Sequence, residues 1–180
     1  MNIIGITGHT KGIGLGLYNA FINLGHIVHG YSRSNDYDLS HEITIDRIIL
    51  SISESNQDTF ILNAEHDYTQ VKLLYALDRL WAADKNKTIM VIGSISATYP
   101  NREPPHEYSI QKIALDKAVE QLHIIRPYRL INIRPGYVDT TATTAIKGPK
   151  LPVSDVVNIV SWALDAPTNM LIRNITFSPR

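Results

Sequence analysis

The chain has 180 residues, enough for one domain with a sizeable hydrophobic core. Hydrophobic residues make up 44% and charged residues 19%, a globular composition that excludes a disordered or fibrous protein. Seventeen basic residues balance seventeen acidic ones, so the chain lacks the bulk charge that attracts nucleic acid or an anionic membrane. There is no cysteine, which excludes disulfides, thiolate zinc sites and cysteine nucleophiles.

The N-terminal sequence MNIIGITG lacks the basic region and the long apolar run of a signal peptide. No segment approaches the roughly 18 apolar residues that a membrane span needs. We therefore expect a cytoplasmic protein with no membrane partner.

Strand and helix patterns alternate along the chain. Apolar, β-branched runs predict strands at 2–7, 26–31, 59–64, 88–94, 129–136 and 171–177. Helical spacing predicts helices at 12–24, 42–53, 71–83, 108–125 and 153–166. The isoleucines of 42–53 fit either period, and we assign a helix because the segment lies between two strands.

This alternation predicts an α/β fold of three layers, a Rossmann fold. Its doubly wound, mainly parallel sheet should have about seven strands and helices on both faces. No repeat or linker interrupts the pattern, so a single domain over 1–180 is expected. Ligands of such a fold bind beyond the carboxyl ends of the strands.

The segment TGHTKGIG lies between the first strand and the first helix. Gly8, Gly12 and Gly14 allow a sharp turn and the close approach of a pyrophosphate, and the helix presents free N–H groups to that anion. The segment lacks the Gly-Lys-Ser/Thr ending of an ATP-binding loop. We expect a dinucleotide site, with a plain strand-to-helix turn as the alternative.

The end of the second strand indicates which dinucleotide is bound. Ser32 and Arg33 follow the strand, and an arginine suits the 2′-phosphate of NADP, whereas an acidic residue would bond the ribose hydroxyl of NAD. Lys11 in the glycine-rich segment offers a second cation. These residues favour NADP(H), and NAD(H) stays open because Asp36 and Asp38 follow closely.

The later motifs arrive in a fixed order. After Thr7-Gly8-x-x-x-Gly12-x-Gly14 come Asn63-Ala64, Ser94, Tyr108-x-x-x-Lys112, Pro135-Gly136 and Thr140. In this order the sequence resembles the short-chain dehydrogenase/reductase family over nearly its whole length. The resemblance implies hydride transfer between a nicotinamide and a carbonyl or secondary alcohol, in a homodimer or homotetramer. It also implies these cofactor-binding residues: Gly8, Thr10, Lys11, Gly12, Ile13, Gly14, Ser32, Arg33, Asp38, Asn63, Ala64, Tyr108, Lys112, Pro135, Gly136, Val138 and Thr140.

Three residues form the expected catalytic set. Tyr108 and Lys112 stand one helical turn apart, and an ammonium beside a phenol favours the phenolate, whose pKa is otherwise near 10. The resemblance implies that Tyr108 is the acid or base, that Lys112 lowers its pKa and bonds the nicotinamide ribose, and that Ser94 holds the substrate oxygen. Position 95, where the family spacing would place the serine, is isoleucine. We prefer Ser94, with Ser96 as the alternative.

The family's catalytic asparagine has no clear match within 66–84. Gln70 is nearby but is interpreted as not equivalent. Two alternatives follow: a catalytically weak NADP-binding sensor or scaffold protein, and a sugar-nucleotide epimerase, which usually needs a larger C-terminal domain.

Seven histidines are present, but His26 and His29 would point to opposite faces of a strand, so no metal site is predicted. A proline-rich loop at 99–107 could take up the one-residue shift of the serine. A threonine-rich loop is expected at 139–152.

Overall fold

The computed structural model describes residues 1–99 and 106–180. Most of the predicted proline-rich loop, which could take up the one-residue shift of the serine, falls on 100–105, outside the described residues.

The described residues form six strands and five α-helices. The strands are β1 (Ile3–Thr7), β2 (Ile27–Tyr31), β3 (Thr59–Leu62), β4 (Thr88–Ile92), β5 (Arg129–Pro135) and β6 (Asn174–Phe177). The helices are α1 (Gly12–Asn23), α2 (Ile43–Glu54), α3 (Thr69–Trp81), α4 (Glu107–Ile125) and α5 (Val153–Asp165). Short 3₁₀ helices follow β2, β4 and β5 at Arg33–Asn35, Ile95–Thr98 and Thr141–Thr143.

All neighbouring strands pair in parallel, in the order β2-β1-β3-β4-β5-β6. The predicted fold class is confirmed, but the predicted count of about seven strands is wrong, since the sheet has six among the described residues. The connection from β2 to β3 carries the helix α2 and no further strand, so β2 remains the edge of the sheet. The strand order reverses between β1 and β3, and a ligand-binding crevice is expected at that switch point.

The segment whose period was ambiguous in the sequence is the helix α2. Thr44, Ile48 and Ile52 repeat every four residues and are buried. This spacing gives a helix one apolar face, which here packs on the sheet.

Helices cover both faces of the sheet. Helices α2, α3 and α4 pack on one face, against residues such as Phe60 and Leu62 of β3. Helices α1 and α5 pack on the other face, where Ile61 of the same strand points. Because both faces are covered, β3 and β4 consist of almost uninterrupted apolar residues, as expected for a parallel sheet. Within the described part of the chain, no helix has the length and apolarity needed to cross a bilayer.

Candidate active site

The glycine-rich segment forms a tight connection from β1 into α1. Gly8 and Gly12 have φ angles of +71° and +51°, in the left-handed region that side chains other than glycine rarely adopt. A Cβ on Gly14 would stand 2.1 Å from the carbonyl oxygen of Gly8, so the helix starts directly against the turn. Lys11, at the N-cap, makes no side-chain cap bond, and the first turn of α1 holds no acidic residue. The positive end of this helix therefore stays available to an anion.

Asn63 and Ala64 hold this turn from the end of β3. Their N–H groups both donate to the Thr7 hydroxyl at 3.0 Å, and the Asn63 side-chain amide donates to the Thr7 carbonyl at 3.0 Å. The ends of β1 and β3 are thereby joined at the switch point. The contacts of Asn63 and Ala64 explain why polar and small residues follow a buried strand here.

The residues predicted to select the cofactor lie beyond the end of β2. Ser32 is buried and its N–H donates to Asn35 Oδ1 at 2.9 Å, whereas Arg33 is exposed. Asp38 Oδ1 accepts from the Ser40 N–H at 3.0 Å, and bonds from Ser40 are the main cause that lowers the pKa of this carboxyl. The charge of Arg33 contributes to the same lowering, so a cation and an acid stand close together at this edge.

A cavity of about 460 Å³ opens beyond the carboxyl ends of β3, β4 and β5. This volume is in the range of small-molecule sites. Eight of the predicted cofactor-binding residues line it: Ile13, Asn63, Tyr108, Lys112, Pro135, Gly136, Val138 and Thr140. Nine lie outside it, towards β2 and the glycine-rich turn: Gly8, Thr10, Lys11, Gly12, Gly14, Ser32, Arg33, Asp38 and Ala64. The threonine-rich loop also borders the cavity, and a bridge between Val138 and Leu151 ties its base.

Tyr108 and Lys112 meet in this cavity. Tyr108 keeps 37% of its surface exposed, while Lys112 is only 2% exposed. The Lys112 Nζ atom lies 5.3 Å from the centre of the Tyr108 ring. Burial lowers the pKa of Lys112 from its ordinary 10.5 to about 8, against the opposing charges of Glu65 and Asp116. The ammonium is thus held in a poorly solvated place where its field on the phenol is strong.

Gln70 anchors Lys112, which the sequence interpretation did not anticipate. Its Nε2 atom donates to the carbonyl oxygens of Leu62 at 2.7 Å and Ile92 at 3.1 Å, and its Oε1 atom accepts from Lys112 Nζ. Lys112 also donates to the Ile92 carbonyl at 3.2 Å. Gln70 is 1% exposed, on the buried face of α3 that also carries Leu73. A polar residue on an apolar helix face was the signal in the sequence that could have found it.

Ser94 and Ser96 both line the cavity, and both are buried. The Ser94 Oγ atom accepts the Ser96 N–H at 3.1 Å, as the N-cap of the 3₁₀ helix that follows β4. This bond orients Ser94 and leaves its hydroxyl proton able to donate to another oxygen.

Two further residues that the sequence analysis did not assign to the site line the cavity. His106 caps α4, with its Nδ1 atom accepting the Tyr108 N–H at 3.2 Å. Glu65 follows Ala64 and accepts the His66 N–H through Oε1 at 2.9 Å. Neither residue stood in a recognised motif.

The helix that carries Tyr108 and Lys112 is held to the sheet by a partly buried ion pair. Asp116, one turn beyond Lys112, forms an ion pair with Arg134 of β5 at 2.9 Å and accepts a hydrogen bond from the Asn132 side-chain amide at 2.7 Å.

Across the described ranges, no group of three or more histidines and carboxylates is arranged to hold a metal ion.

No family model matches the chain, and no curated protein matches it by sequence. Solved structures do match. The 4-hydroxyisoleucine dehydrogenase complexed with NADH has a TM-score of 0.80 at 18% identity, over 99% of this chain and 98% of that chain. The 3α-hydroxysteroid dehydrogenase from a Pseudomonas species, complexed with NADH, has a TM-score of 0.79 at 18% identity, over 98% and 95%. A short-chain dehydrogenase from Burkholderia cenocepacia in complex with NADP has a TM-score of 0.75 at 20% identity, over 96% and 87%.

At these identities the likeness concerns the fold. The chain has the fold of short-chain dehydrogenase/reductases, as the order of its motifs predicted.

Proposed function

We propose that this protein is an NADPH-dependent oxidoreductase that transfers hydride between the nicotinamide and a carbonyl or secondary alcohol. The observation that carries the proposal is the Lys112 ammonium, 5.3 Å from the centre of the Tyr108 ring in a cavity that Ser94 also lines. The solved neighbours, which are named dehydrogenases and bind NADH or NADP, support the same class.

The residues at this end of the sheet fit a nicotinamide dinucleotide. The N-terminus of α1 has neither a side-chain cap nor an acid in its first turn, which suits a pyrophosphate. Pro135, Val138 and Thr140 would border the nicotinamide, because they line the cavity together with Tyr108. The bound nicotinamide supplies or accepts the hydride.

The chain itself supplies the proton and holds the substrate. Tyr108 gives its phenolic proton to the substrate oxygen in the reducing direction and removes it in the oxidising direction. Lys112 favours the phenolate that remains, and Gln70 keeps that ammonium in place. Ser94, oriented by the Ser96 N–H, donates to the same substrate oxygen and stabilises negative charge on it.

The preference for NADPH rests on two exposed cations. Lys11 stands at the start of α1 and Arg33 beyond the end of β2. A guanidinium fork and an ammonium together suit the 2′-phosphate of the adenosine ribose. The single domain, the cytoplasmic location and the homodimer or homotetramer remain predictions from the sequence.

The test is a titration with NADPH followed by a panel of ketones and aldehydes. We expect Tyr108→Phe still to bind NADPH, because a phenyl ring fills the same space and the other expected cofactor-binding residues are unchanged. We expect its kcat to fall by about 10²–10⁴-fold, the usual contribution of a general acid.

Tyr75→Phe is the matched control, since it removes a phenol that bonds Gln121 on the outer surface, between α3 and α4. It should leave turnover unchanged. Tight NADPH binding without turnover of any carbonyl compound would refute the proposed enzymatic activity and favour the sensor or scaffold protein.

A further inference from the structure

Glu65 brings a carboxylate into the cavity immediately after the Asn63-Ala64 pair. Its Oε1 atom is engaged by the backbone ahead of α3, accepting from the N–H groups of His66 at 2.9 Å and Gln70 at 3.5 Å. Its Oε2 atom is buried and has no hydrogen-bond partner within the described part of the chain. The side chain is therefore fixed at one oxygen and unsatisfied at the other.

An unsatisfied buried carboxylate oxygen is unfavourable, and native structures usually pair such an atom. The structural task of Glu65 is already performed by Oε1, which holds the turn into α3. The second oxygen therefore points to a donor that comes from outside the chain. Because Glu65 lines the same cavity as Tyr108, that donor belongs to whatever occupies the cavity.

Lys112 provides the complementary group. An ammonium has three donors, and two of those on Lys112 have partners among the described residues, Gln70 and the Ile92 carbonyl. The charge of Glu65 acts on Lys112 and is the largest influence that opposes the lowering of its pKa by burial. This part of the cavity thus offers one anionic acceptor and one cationic donor.

A pair of neighbouring hydroxyl groups on a ligand can hydrogen-bond the Glu65 carboxylate and the Lys112 ammonium at the same time. One hydroxyl donates to the carboxylate, and the other accepts from the ammonium, since each hydroxyl can do either. Under the proposed function, on which this inference rests, the ribose beside the nicotinamide carries such a diol. That ribose links the pyrophosphate, expected at α1, to the ring that must reach Tyr108.

We propose that Glu65 is a cofactor-binding residue: its Oε2 atom, together with Lys112, binds the vicinal hydroxyls of the nicotinamide ribose. Glu65 accepts from one hydroxyl while Lys112 donates to the other. Glu65 is thereby a specificity-determining residue for the nicotinamide half of the dinucleotide.

The experiment compares two probes by calorimetric titration of wild type and Glu65→Gln. NADPH carries the nicotinamide ribose, whereas adenosine 2′,5′-bisphosphate keeps the adenosine and its 2′-phosphate and lacks that ribose. The glutamine amide can still accept the His66 N–H, but it removes the charged acceptor. We expect NADPH to bind about 10- to 100-fold more weakly, the usual effect of a lost charged hydrogen bond. We expect the bisphosphate to bind unchanged, which also shows that the variant is folded.

Glu54→Gln is the matched control, because it makes the same change on the exposed last turn of α2. It should leave the affinity for both probes unchanged. If wild type and Glu65→Gln bind NADPH equally, the role of Glu65 is refuted while the proposed function stands. An equal loss of both probes in Glu65→Gln would also refute it, since that pattern is structural. If wild type binds neither probe, and neither NADH nor adenosine diphosphate, the proposed function fails and this inference fails with it.

Discussion

Among single residues, the proposed chemistry depends most on Lys112. It is 2% exposed, its ammonium is bonded to Gln70 and to the Ile92 carbonyl, and burial lowers its pKa to about 8. The same ammonium on a solvated helix would have no desolvation cost, but water would weaken its interaction with Tyr108. Burial therefore lowers the pKa of Lys112 but strengthens the electric field of its charged form at the phenol.

Arg33 is the residue with which the proposed preference for NADPH can be tested. Arg33→Asp replaces the expected partner of the 2′-phosphate by a like charge. We expect the affinity for NADPH to fall by about tenfold or more, the effect of losing a charge-assisted hydrogen bond. The affinity for NADH should stay the same or increase, because an acidic residue there can bond the ribose hydroxyl. Calorimetric titration with each cofactor measures the ratio of the affinities for NADPH and NADH.

The control for this change is Arg79→Asp, which makes the same charge change on the exposed last turn of α3. That helix begins after β3, at the carboxyl ends of the strands, and ends near the start of β4. Arg79→Asp should alter neither affinity. An equal loss of NADPH and NADH in Arg33→Asp would contradict the assignment of the 2′-phosphate.

Among the elements, the connection from β1 to α1 has the tightest geometry. The first turn of α1 abuts the carbonyl oxygen of Gly8, and Asn63 donates to both Thr7 and Gly8 from the end of β3. The atoms in contact are mostly backbone, so a side chain cannot be accommodated by a change of rotamer. The N-terminal end of α1 and the switch point of the sheet are therefore in direct contact and form one unit.

Gly14→Ala tests this unit. The added Cβ would stand 2.1 Å from the Gly8 oxygen and 2.7 Å from Asn63 Nδ2, so the turn must move away from α1. We expect a loss of about 1–3 kcal/mol in the free energy of unfolding, typical of overpacking. We also expect weaker NADPH binding, since the N–H groups of the helix are displaced. Urea unfolding and calorimetric titration measure the two effects.

Gly16→Ala, in the same helix, serves for comparison. Its Cβ would meet methyl groups of Val153 and Val157 on α5, side-chain atoms remote from the turn. NADPH affinity should stay near that of the wild type. Equal affinities in Gly14→Ala and the wild type would show that the turn does not form part of the cofactor site.

For the whole molecule, Lys112 links the free energy of unfolding to pH. Between pH 8 and 10.5 the native lysine is neutral, whereas the unfolded chain still binds its proton. Because the unfolded state then binds more protons, stability rises with pH across this window and falls as pH drops through it. A pKa difference of this size corresponds to about 3 kcal/mol.

Lys112→Met removes this titration. The Gln70 Oε1 atom loses its donor in this variant, a penalty that does not vary with pH, while the Ile92 carbonyl still accepts from Gln70 Nε2. The free energy of unfolding of the wild type relative to this variant should therefore increase by about 3 kcal/mol between pH 8 and pH 10.5. Urea unfolding at several pH values measures it. Lys117→Met, an exposed change on the same helix, should show a constant difference. Parallel pH profiles of wild type and Lys112→Met would argue against a buried, weakly basic lysine.

The order of the elements could be predicted because their periods are local. Alternating apolar runs and helical faces indicated a parallel sheet, and its topology brings Ser94, Tyr108 and Lys112 to one edge. The six strands of the sheet correspond to the six segments predicted as strands, and the predicted total of about seven is one more than the described residues contain. Gln70 was dismissed because motif matching compares residue types and cannot measure a bond across 42 residues.

The sequence by itself determined the layers of the fold, the absence of thiol chemistry, and the candidate residues for a phosphate turn and a tyrosine–lysine pair. Periodicity and residue type are properties of neighbouring positions, so they can be read without coordinates. Only the tertiary structure decided that Lys112 is buried with a lowered pKa, that Gln70 holds it, and that one carboxylate oxygen of Glu65 is buried without a hydrogen-bond partner among the described residues. Burial and hydrogen bonding depend on which segments, distant in the sequence, are in contact, and only the tertiary fold determines those contacts.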